Sequence, residues 1–420
     1  MRPWLALALL PACTPQDTPE NTSTDTAADS AATTWYEDVE PLVQKSCATC
    51  HDGTGVGGVN LTDPATAQAH AGAMASLVSA GVMPPPAADP ACRDYGGSER
   101  MNLTADERAV FQAWYDEGAK AGDPARAPAP VSWGTAMEDP DVVLTMPFEH
   151  PISPDLDGNE YYCVELENPL TEKGYITGLD VLMGNPSVVH HMVLIKDESG
   201  DAGVEYGVDD AKAGFDCRDP MMESDWTMLH AWAPGMDQTN MVEGTGMAIE
   251  PGDQIILQMH YFATDEDEGA TDQSSYLLRL DSEKPAKEVQ LVPFGPAGFR
   301  IPANADAHTE TEDLYNSYLP IYVYGVFPHM HLLGTSYHGW VERSDGTEDC
   351  LAQGRWDFDH QAFYMFDEPY TLDVGSTLMA ECTWDNSANN PAQYNDPPEQ
   401  VTYGEGTNQE MCYFLYYASF

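Results

Sequence analysis

The sequence predicts a mainly β chain in which two related β domains meet near residue 300, preceded by a small all-α unit. Three observations carry this. Beyond residue 132 of the 420-residue chain, apolar residues recur with period two in short runs broken by Gly, Pro, Asn and Asp. Within that part, Pro251-Gly252-Asp253 leading into 254–262 and Gly375-Ser376 leading into 377–384 are two similar turn-then-strand units, which points to two related domains. Before residue 122 the spacing is helical instead. Thr104-Ala105-Asp106-Glu107 forms a capping box, Val110, Phe111 and Trp114 follow on one face, and Gly118 supplies the stop.

In chain order, the first residues read as an export leader. Arg2 precedes an apolar run over 4–10, and Leu10-Pro11-Ala12-Cys13 resembles a bacterial lipoprotein cleavage box, with Pro11 an unusual occupant. This predicts a signal peptide over 1–13, lipidation at Cys13, and an exported, periplasmic or cell-surface lipoprotein of a bacterium held to the membrane by that lipid. An ordinary signal peptide with an incidental cysteine is the other reading. Apart from Pro15 and Pro19, residues 14–34 hold no apolar side chain larger than Ala and are expected to be a disordered tether. No later apolar run reaches the roughly 18 residues that span a bilayer. The balance of 17 Lys+Arg against 69 Asp+Glu, net −52, argues against nucleic acid and anionic membrane surfaces as partners.

The helical unit covers 35–122 and contains Cys47-Ala48-Thr49-Cys50-His51. A CxxCH run suits haem attachment, because two thiols can form thioethers with the vinyl groups while the adjacent imidazole sits under the iron. A zinc or redox dithiol could share the CxxC part. Upstream, Val39, Leu42 and Val43 lie on one face of a short helix beginning near Trp35; downstream, Gly81-Val82-Met83-Pro84-Pro85-Pro86 puts a methionine before a stiff turn. This order resembles the small bacterial cytochrome c domains. The resemblance implies haem c bound through Cys47, Cys50 and His51, with Met83 as second axial ligand and Met74 and Met101 as competitors. His70 reads as a surface residue.

A Pro/Ala-rich linker occupies 123–132, and histidines cluster in the β part beyond it. Val188-Val189-His190-His191-Met192 puts adjacent imidazoles in a strongly β segment, Gln258-Met259-His260 ends another strand, and Phe327-Pro328-His329-Met330-His331 gives His-x-His on one strand face. Gln409-Glu410-Met411-Cys412 stands near the C-terminus. Three imidazoles suit copper or zinc, whereas two imidazoles with a thioether point to copper, since soft sulfur favours Cu(I). Neighbours in a flat strand face opposite ways, so His190 and His191 can share one ion only if the strand ends or bulges there.

The strings VVHHMVLI, LQMHYF, HMHLLG and EMC, in that order over about 135–420, resemble the copper type II, ascorbate-dependent monooxygenases, the family of the peptidylglycine α-hydroxylating enzymes and dopamine β-hydroxylase. The resemblance implies two consecutive β-sandwich, jelly-roll-like domains, 133–299 and 300–420, with one copper each across a cleft. His190, His191 and His260 would hold the electron-transfer copper. His329, His331 and Met411 would hold the copper that binds O2 and would be the catalytic set for hydroxylating a C–H bond. The sequence also departs from the peptidylglycine pattern. Phe327 stands where those enzymes place an arginine for the substrate carboxylate, and Tyr413 and Leu415 stand where they use asparagine and tyrosine. A glycine-extended peptide is therefore not the expected substrate; a small apolar or aromatic molecule is. His150, His308, His338 and His360 read as structural or surface residues, and His230 as a neighbour of a ligand set. The acidic run 265–269 lacks EF-hand spacing and reads as a solvated loop.

Of nine cysteines, Cys13, Cys47 and Cys50 have assigned roles, leaving six in an oxidising compartment. The resemblance implies Cys382–Cys412 and Cys163–Cys217. Cys92 and Cys350 remain, either as two free thiols or as a bond stapling the helical unit to the second β domain. The fusion implies electron flow from an external donor through haem c to copper, with tethering alone giving a millimolar-scale effective concentration and no need for a tight interface. A non-catalytic surface electron-transfer or copper-binding lipoprotein is the alternative.

Overall fold

The computed structural model describes residues 32–53, 57–129, 137–154, 158–200, 202, 210–217, 226–234, 236–264, 267–358, 360–404, 406 and 408–420, without the side chain of residue 99. Cys13, the leader and nearly all of the expected tether lie outside the described residues, as do 265 and 266 of the acidic run. Among the described residues no helix is long and apolar enough to cross a membrane.

The chain is mainly β, and apart from a 3-10 turn at Ala211–Ala213 its described helices fall before residue 127. A π-turn at Trp35–Val39 runs into helix Glu40–Ser46, and the CxxCH run forms the single turn Ala48–His51. Helix Pro64–Ser79 starts with Pro at its first position and Asp63 accepting from Thr66 N at 2.8 Å, two devices that satisfy or remove orphan amides. Helix Ala105–Asp116 carries the capping box, with Thr104 and Glu107 bonding reciprocally. Trp35 meets Trp114 at 5.5 Å between ring centroids. These two residues with Val39, Val43, Ala71, Met74 and Phe111 make one small core. Met74 is thus packing, and His70 is an exposed side chain bonded to Thr66 O.

Two sandwiches follow. The first packs a sheet of Val142–Thr145, Ser275–Asp281, Gly174–Leu182, Thr245–Ile249 and Lys287–Glu288 against one of Phe215–Asp216, Asn159–Leu166, Gln254–Phe262, Val189–Asp197 and Trp226–Trp232. The second packs Gln290–Phe294, Cys412–Ser419, Ile321–Met330 and Tyr364–Leu372 against His308–Tyr315, Thr377–Trp384, Gly334–Glu342 and Glu348–Arg355. The crossing from one sandwich to the other comes earlier than the sequence suggests. Gln290–Phe294 pairs with Cys412–Ser419, so the second sheet begins at residue 290 rather than 300.

Strand Cys412–Ser419 is buried on both faces. Phe414 and Tyr416 point into the second core while Leu415 and Tyr417 join the first, which is the period-two alternation of a strand between two apolar layers. The two sandwiches therefore share a dry contact, with Tyr417 OH donating to Leu229 O at 3.2 Å.

The helical unit is clamped, not tethered. Cys92 is bonded to Cys350, Asp89 N donates to Gln353 O at 2.7 Å, Gly96 N donates to Met365 O at 2.9 Å, and Arg93 lies over the rings of Phe366 and Tyr370. Arg355 reaches from the second sandwich to Gly81 O at 2.5 Å, beside Met83. This corrects the expectation of a loose connection: main-chain hydrogen bonds and a covalent bond fix the unit on the strand edge. The other two disulfides are Cys163–Cys217 and Cys382–Cys412, the pairs the resemblance implied, and Cys92–Cys350 is the bonded one of the two readings left open for that pair.

Candidate metal centres and the cleft between them

The first cluster forms because one strand is irregular. His191 pairs with His260, but the next residue, Tyr261, pairs with Val189, so His190 is the extra residue of a bulge. The bulge turns His190 to the side of its neighbour, as the sequence required. The candidate ligand atoms of His190, His191 and His260 lie within 4.8 Å of one another. His190 Nδ1 is 3.4 Å from His191 Nδ1, which is 3.3 Å from His260 Nδ1. Nitrogens bound at about 2.0 Å to one ion, at trigonal to tetrahedral angles, stand roughly 3.3–3.5 Å apart, so the spacing fits a single metal.

The atoms behind the rings fix which nitrogen faces inward. His260 Nε2 donates to Asn159 Oδ1 at 2.7 Å, leaving the Nδ1 lone pair for an ion. Tyr161 stacks on the His260 ring with centroids 4.2 Å apart. Burial, with the neighbouring His190 adding to it, holds the His191 pKa well below the usual imidazole range. The ring is neutral, the form a metal needs.

The second cluster is built at one end of the shared sheet. Strands Ile321–Met330 and Cys412–Ser419 pair antiparallel with His329 opposite Tyr413 and Met330 opposite Cys412. One further step of that register sets Met411 opposite His331, and the Cys382–Cys412 bond pins the neighbouring residue. Directly opposed residues share a face, so His329, His331, Met411 and Tyr413 all look into one cleft.

Both imidazoles are again held from behind. His329 Nδ1 donates to Gln361 Oε1 at 2.8 Å and His331 Nδ1 to Gln409 O at 3.1 Å, leaving both Nε2 atoms as acceptors. Burial pushes the two pKa values down to about 4 and about 3, respectively. Behind them Glu410, fully buried, accepts from His331 N at 3.0 Å, Leu333 N at 2.6 Å and Trp384 Nε1 at 2.8 Å. Burial pushes its pKa up to about 8, against these donors, which favour the carboxylate.

The cleft has a volume of about 270 Å³ and is lined from both sandwiches, His191 on one side and His329, His331 and Met411 on the other. Trp226, Trp232, Phe327, Phe358 and Leu415 supply apolar wall, Gln290 and Thr227 supply neutral polar groups, and no Lys, Arg, Asp or Glu lines it among the described residues.

The remaining predicted residues fall as follows. Cys47, Cys50 and His51 share one turn, both thiols are free, and His51 Nδ1 lies 3.2 Å from Val59 O. Met83 packs against the helical core, while Met101 lines a separate cavity. His230 is buried with its ring nitrogens engaged by Tyr276 and Thr239, so it is structural. His150 pairs with Glu160, His308 with Glu310, and His338 stacks on Trp340. The sequence reading missed Asn159, Gln361 and Glu410. Only Glu410 had a signal, a carboxylate two residues ahead of an apolar strand.

Residues 299–420 match the family model described as copper type II ascorbate-dependent monooxygenase, C-terminal domain. The chain is also similar to the DBH-like monooxygenase protein 1 of Gallus gallus, 24% identical over 292 residues, which cover 63% of this chain and 45% of that protein. The chain thus spans less than half the length of this relative. Likenesses among solved structures include the infectious bursal disease virus VP2 subviral particle (TM-score 0.17, 9% identity, 69% of this chain and 79% of that one). Another is PBCV-1 VP54 fitted into a reconstruction of the virophage Sputnik (TM-score 0.22, 9% identity, 68% and 95%). Scores this low carry no argument. The matched domain and the Gallus gallus relative together support a copper type II monooxygenase, a copper-dependent oxidoreductase, as the kind of protein to which this chain's β part is related.

Proposed function

We propose that the protein is an exported, lipid-anchored monooxygenase that hydroxylates a C–H bond of a small, neutral, apolar or aromatic molecule, with electrons entering through haem c on the same chain. The observation that carries this is that two separate histidine clusters face one uncharged cleft. His190, His191 and His260 would hold one copper, and His329, His331 and Met411 the other. Copper, when bound, supplies one-electron transfer and the activation of O2. The balance is one substrate, one O2, two electrons and two protons, giving one alcohol and one water.

The chain's own residues do the rest. Asn159, Gln361 and the Gln409 carbonyl fix the imidazole tautomers, so no rearrangement is needed when an ion enters. The apolar walls exclude water around the reacting C–H and select against charge, because a carboxylate in this cleft would meet no cation. Phe327 is buried against Phe363 at 4.7 Å between centroids, filling the position where an anchoring guanidinium would stand.

For haem c, His51 Nδ1 would donate to Val59 O and leave Nε2 for iron. Burial pushes the Cys47 thiol up to about 12 and also raises Cys50. Both thiols are free, as attachment to haem requires. Three disulfides suit an oxidising compartment, in keeping with export.

The test is elemental analysis followed by oxygen uptake on purified, copper-reconstituted protein. We expect two coppers and one iron per chain, and oxygen uptake that rises with neutral aromatic or aliphatic substrates but not with a glycine-extended peptide. Fewer than two tightly bound coppers would overturn the reading. Full metal content without substrate-dependent uptake would favour the non-catalytic electron-transfer protein.

A further inference from the structure

We propose that Trp356, Phe358, His360 and Gln361 of the second sandwich form an electron bridge joining the CxxCH turn to both histidine clusters, with Arg100 and His360 as its entry. The inference rests on the haem c reading above.

The entry begins at the CxxCH turn itself. Arg100 Nη1 donates to the hydroxyl of Thr49, between the two cysteines, at 3.0 Å. The same guanidinium pairs with Asp237 of the first sandwich, at 3.0 Å from Nη1 and 2.5 Å from Nη2. Arg100 is only 11% exposed, so this is a fixed internal contact and not a surface pair. Arg100, Asp237 and His360 line one cavity of about 690 Å³ where the helical unit meets both sandwiches. The His360 ring is buried, and its Nε2 has no protein hydrogen-bond partner among the described residues. A buried ring nitrogen left without a partner costs stability, so its retention calls for another role.

From His360 the segment reaches both clusters within a few residues. Gln361 Oε1 accepts from the His329 ring at 2.8 Å, and Gln361 Nε2 donates to Phe358 O at 3.0 Å. The Phe358 ring stacks on His190 with centroids 5.3 Å apart. Trp356 donates to His331 O at 2.9 Å and sets its ring edge-on to His329 at 6.0 Å. The stretch therefore touches a candidate ligand of each centre, and His360 at its end faces, across the shared cavity, the Arg100 that bonds to the CxxCH turn. Tunnelling weakens less through covalent and hydrogen bonds than across gaps, and beyond the single step from Arg100 to His360 this route is bonded as far as His329. The clamp that fixes the helical unit keeps its length constant.

Each crossing moves one electron and no atom. Iron(II) at the CxxCH turn becomes iron(III), copper(II) at a histidine cluster becomes copper(I), and an external one-electron reductant restores iron(II). Two crossings meet the demand of one hydroxylation.

The test uses full-length protein with measured iron and copper content. Under anaerobic, substrate-free conditions, haem is photoreduced by a laser flash, and the loss of ferrous absorbance to copper(II) is followed. We expect His360→Leu, Arg100→Leu and Phe358→Leu each to slow that decay about tenfold, with unchanged copper EPR spectra and metal content. Phe358→Tyr, which keeps the stacked ring, should restore the rate. His338→Leu, away from the route, should match the parent protein. Oxygen uptake driven by a small reductant that enters the cleft directly should be unaffected by Arg100→Leu and His360→Leu. Decay at the parental rate in all three leucine variants would overturn the bridge while leaving the haem reading intact. Absence of covalently bound haem would overturn both.

Discussion

The two histidine clusters use the same residue type to opposite ends. At the first, three ring nitrogens converge to 3.3–3.4 Å spacings, and a stacked tyrosine and an asparagine close the back. At the second, two imidazoles and a methionine stand at the end of a sheet and look into the cleft, braced from behind by Gln361, the Gln409 carbonyl and Glu410. Three imidazoles held in fixed positions suit electron transfer, because little has to move when charge changes. Two imidazoles with a thioether, set together on the cleft wall, suit a reaction that must admit O2 and substrate. What separates the clusters is the donor set, and that follows from a bulge within one strand against a strand end next to a cleft.

The strongest way to break this contrast is to replace the one ligand the clusters do not share in kind. Met411→Ile keeps the volume and removes the sulfur. Oxygen uptake should fall by more than about 100-fold, beyond the range usual for residues behind a ligand, while the first cage keeps its copper by elemental analysis. Uptake within twofold of the parent would mean that the second cluster is not the reacting one.

A smaller and more local effect is expected behind the ligands. Asn159→Leu should weaken copper at the first cage and Gln361→Leu at the second, each by roughly 10–100-fold and neither at the other site. Chelator titration followed by EPR separates the two centres. Loss at both from a single substitution would show the clusters to be coupled and not independent.

Glu410→Ala sharpens the contrast through stability. It leaves two buried main-chain N–H groups and an indole N–H without their acceptor, each costing about 1–3 kcal/mol. Denaturant unfolding should register a loss on the order of 3 kcal/mol or more. The first cage should still load copper below the transition.

Much of the ligand geometry was legible in the sequence, because strand periodicity decides which way side chains point. His-x-His on one face, the need for a bulge at His190 and the pairing of turn and strand at 254–262 all follow from a period of two. The braces were not legible. Asn159 and Gln361 are neutral amides in unremarkable surroundings, and what they touch is set by tertiary packing across 101 and 32 residues of chain. The clamp on the helical unit was half legible: Cys92 and Cys350 gave a signal, but the hydrogen bonds from Asp89 and Gly96 are made by main-chain atoms that every residue carries. The domain crossing was misjudged because Gln290–Phe294 is a five-residue strand containing Pro293, a pattern that reads as a connection.

The smallest expected effect bears on how the first cage is held in place. Tyr161 lies parallel to His260, 7° between planes. A stacked pair of this kind is worth about 0.5–1.5 kcal/mol beyond its buried area. If that energy holds the ring in its metal-binding orientation, Tyr161→Leu should lower copper affinity at the first cage by roughly 2- to 12-fold. Tyr161→Phe, which keeps the face but loses the hydroxyl, should return most of it. The second cluster makes the comparison decisive. Its imidazoles meet Trp356 and each other edge-on, and the ring stacked on His329 is Phe327 and not Tyr161, so the same substitution should leave copper there unchanged. Equal loss of affinity in Tyr161→Phe and Tyr161→Leu would show the hydroxyl, and not the stacked ring, to be what Tyr161 contributes.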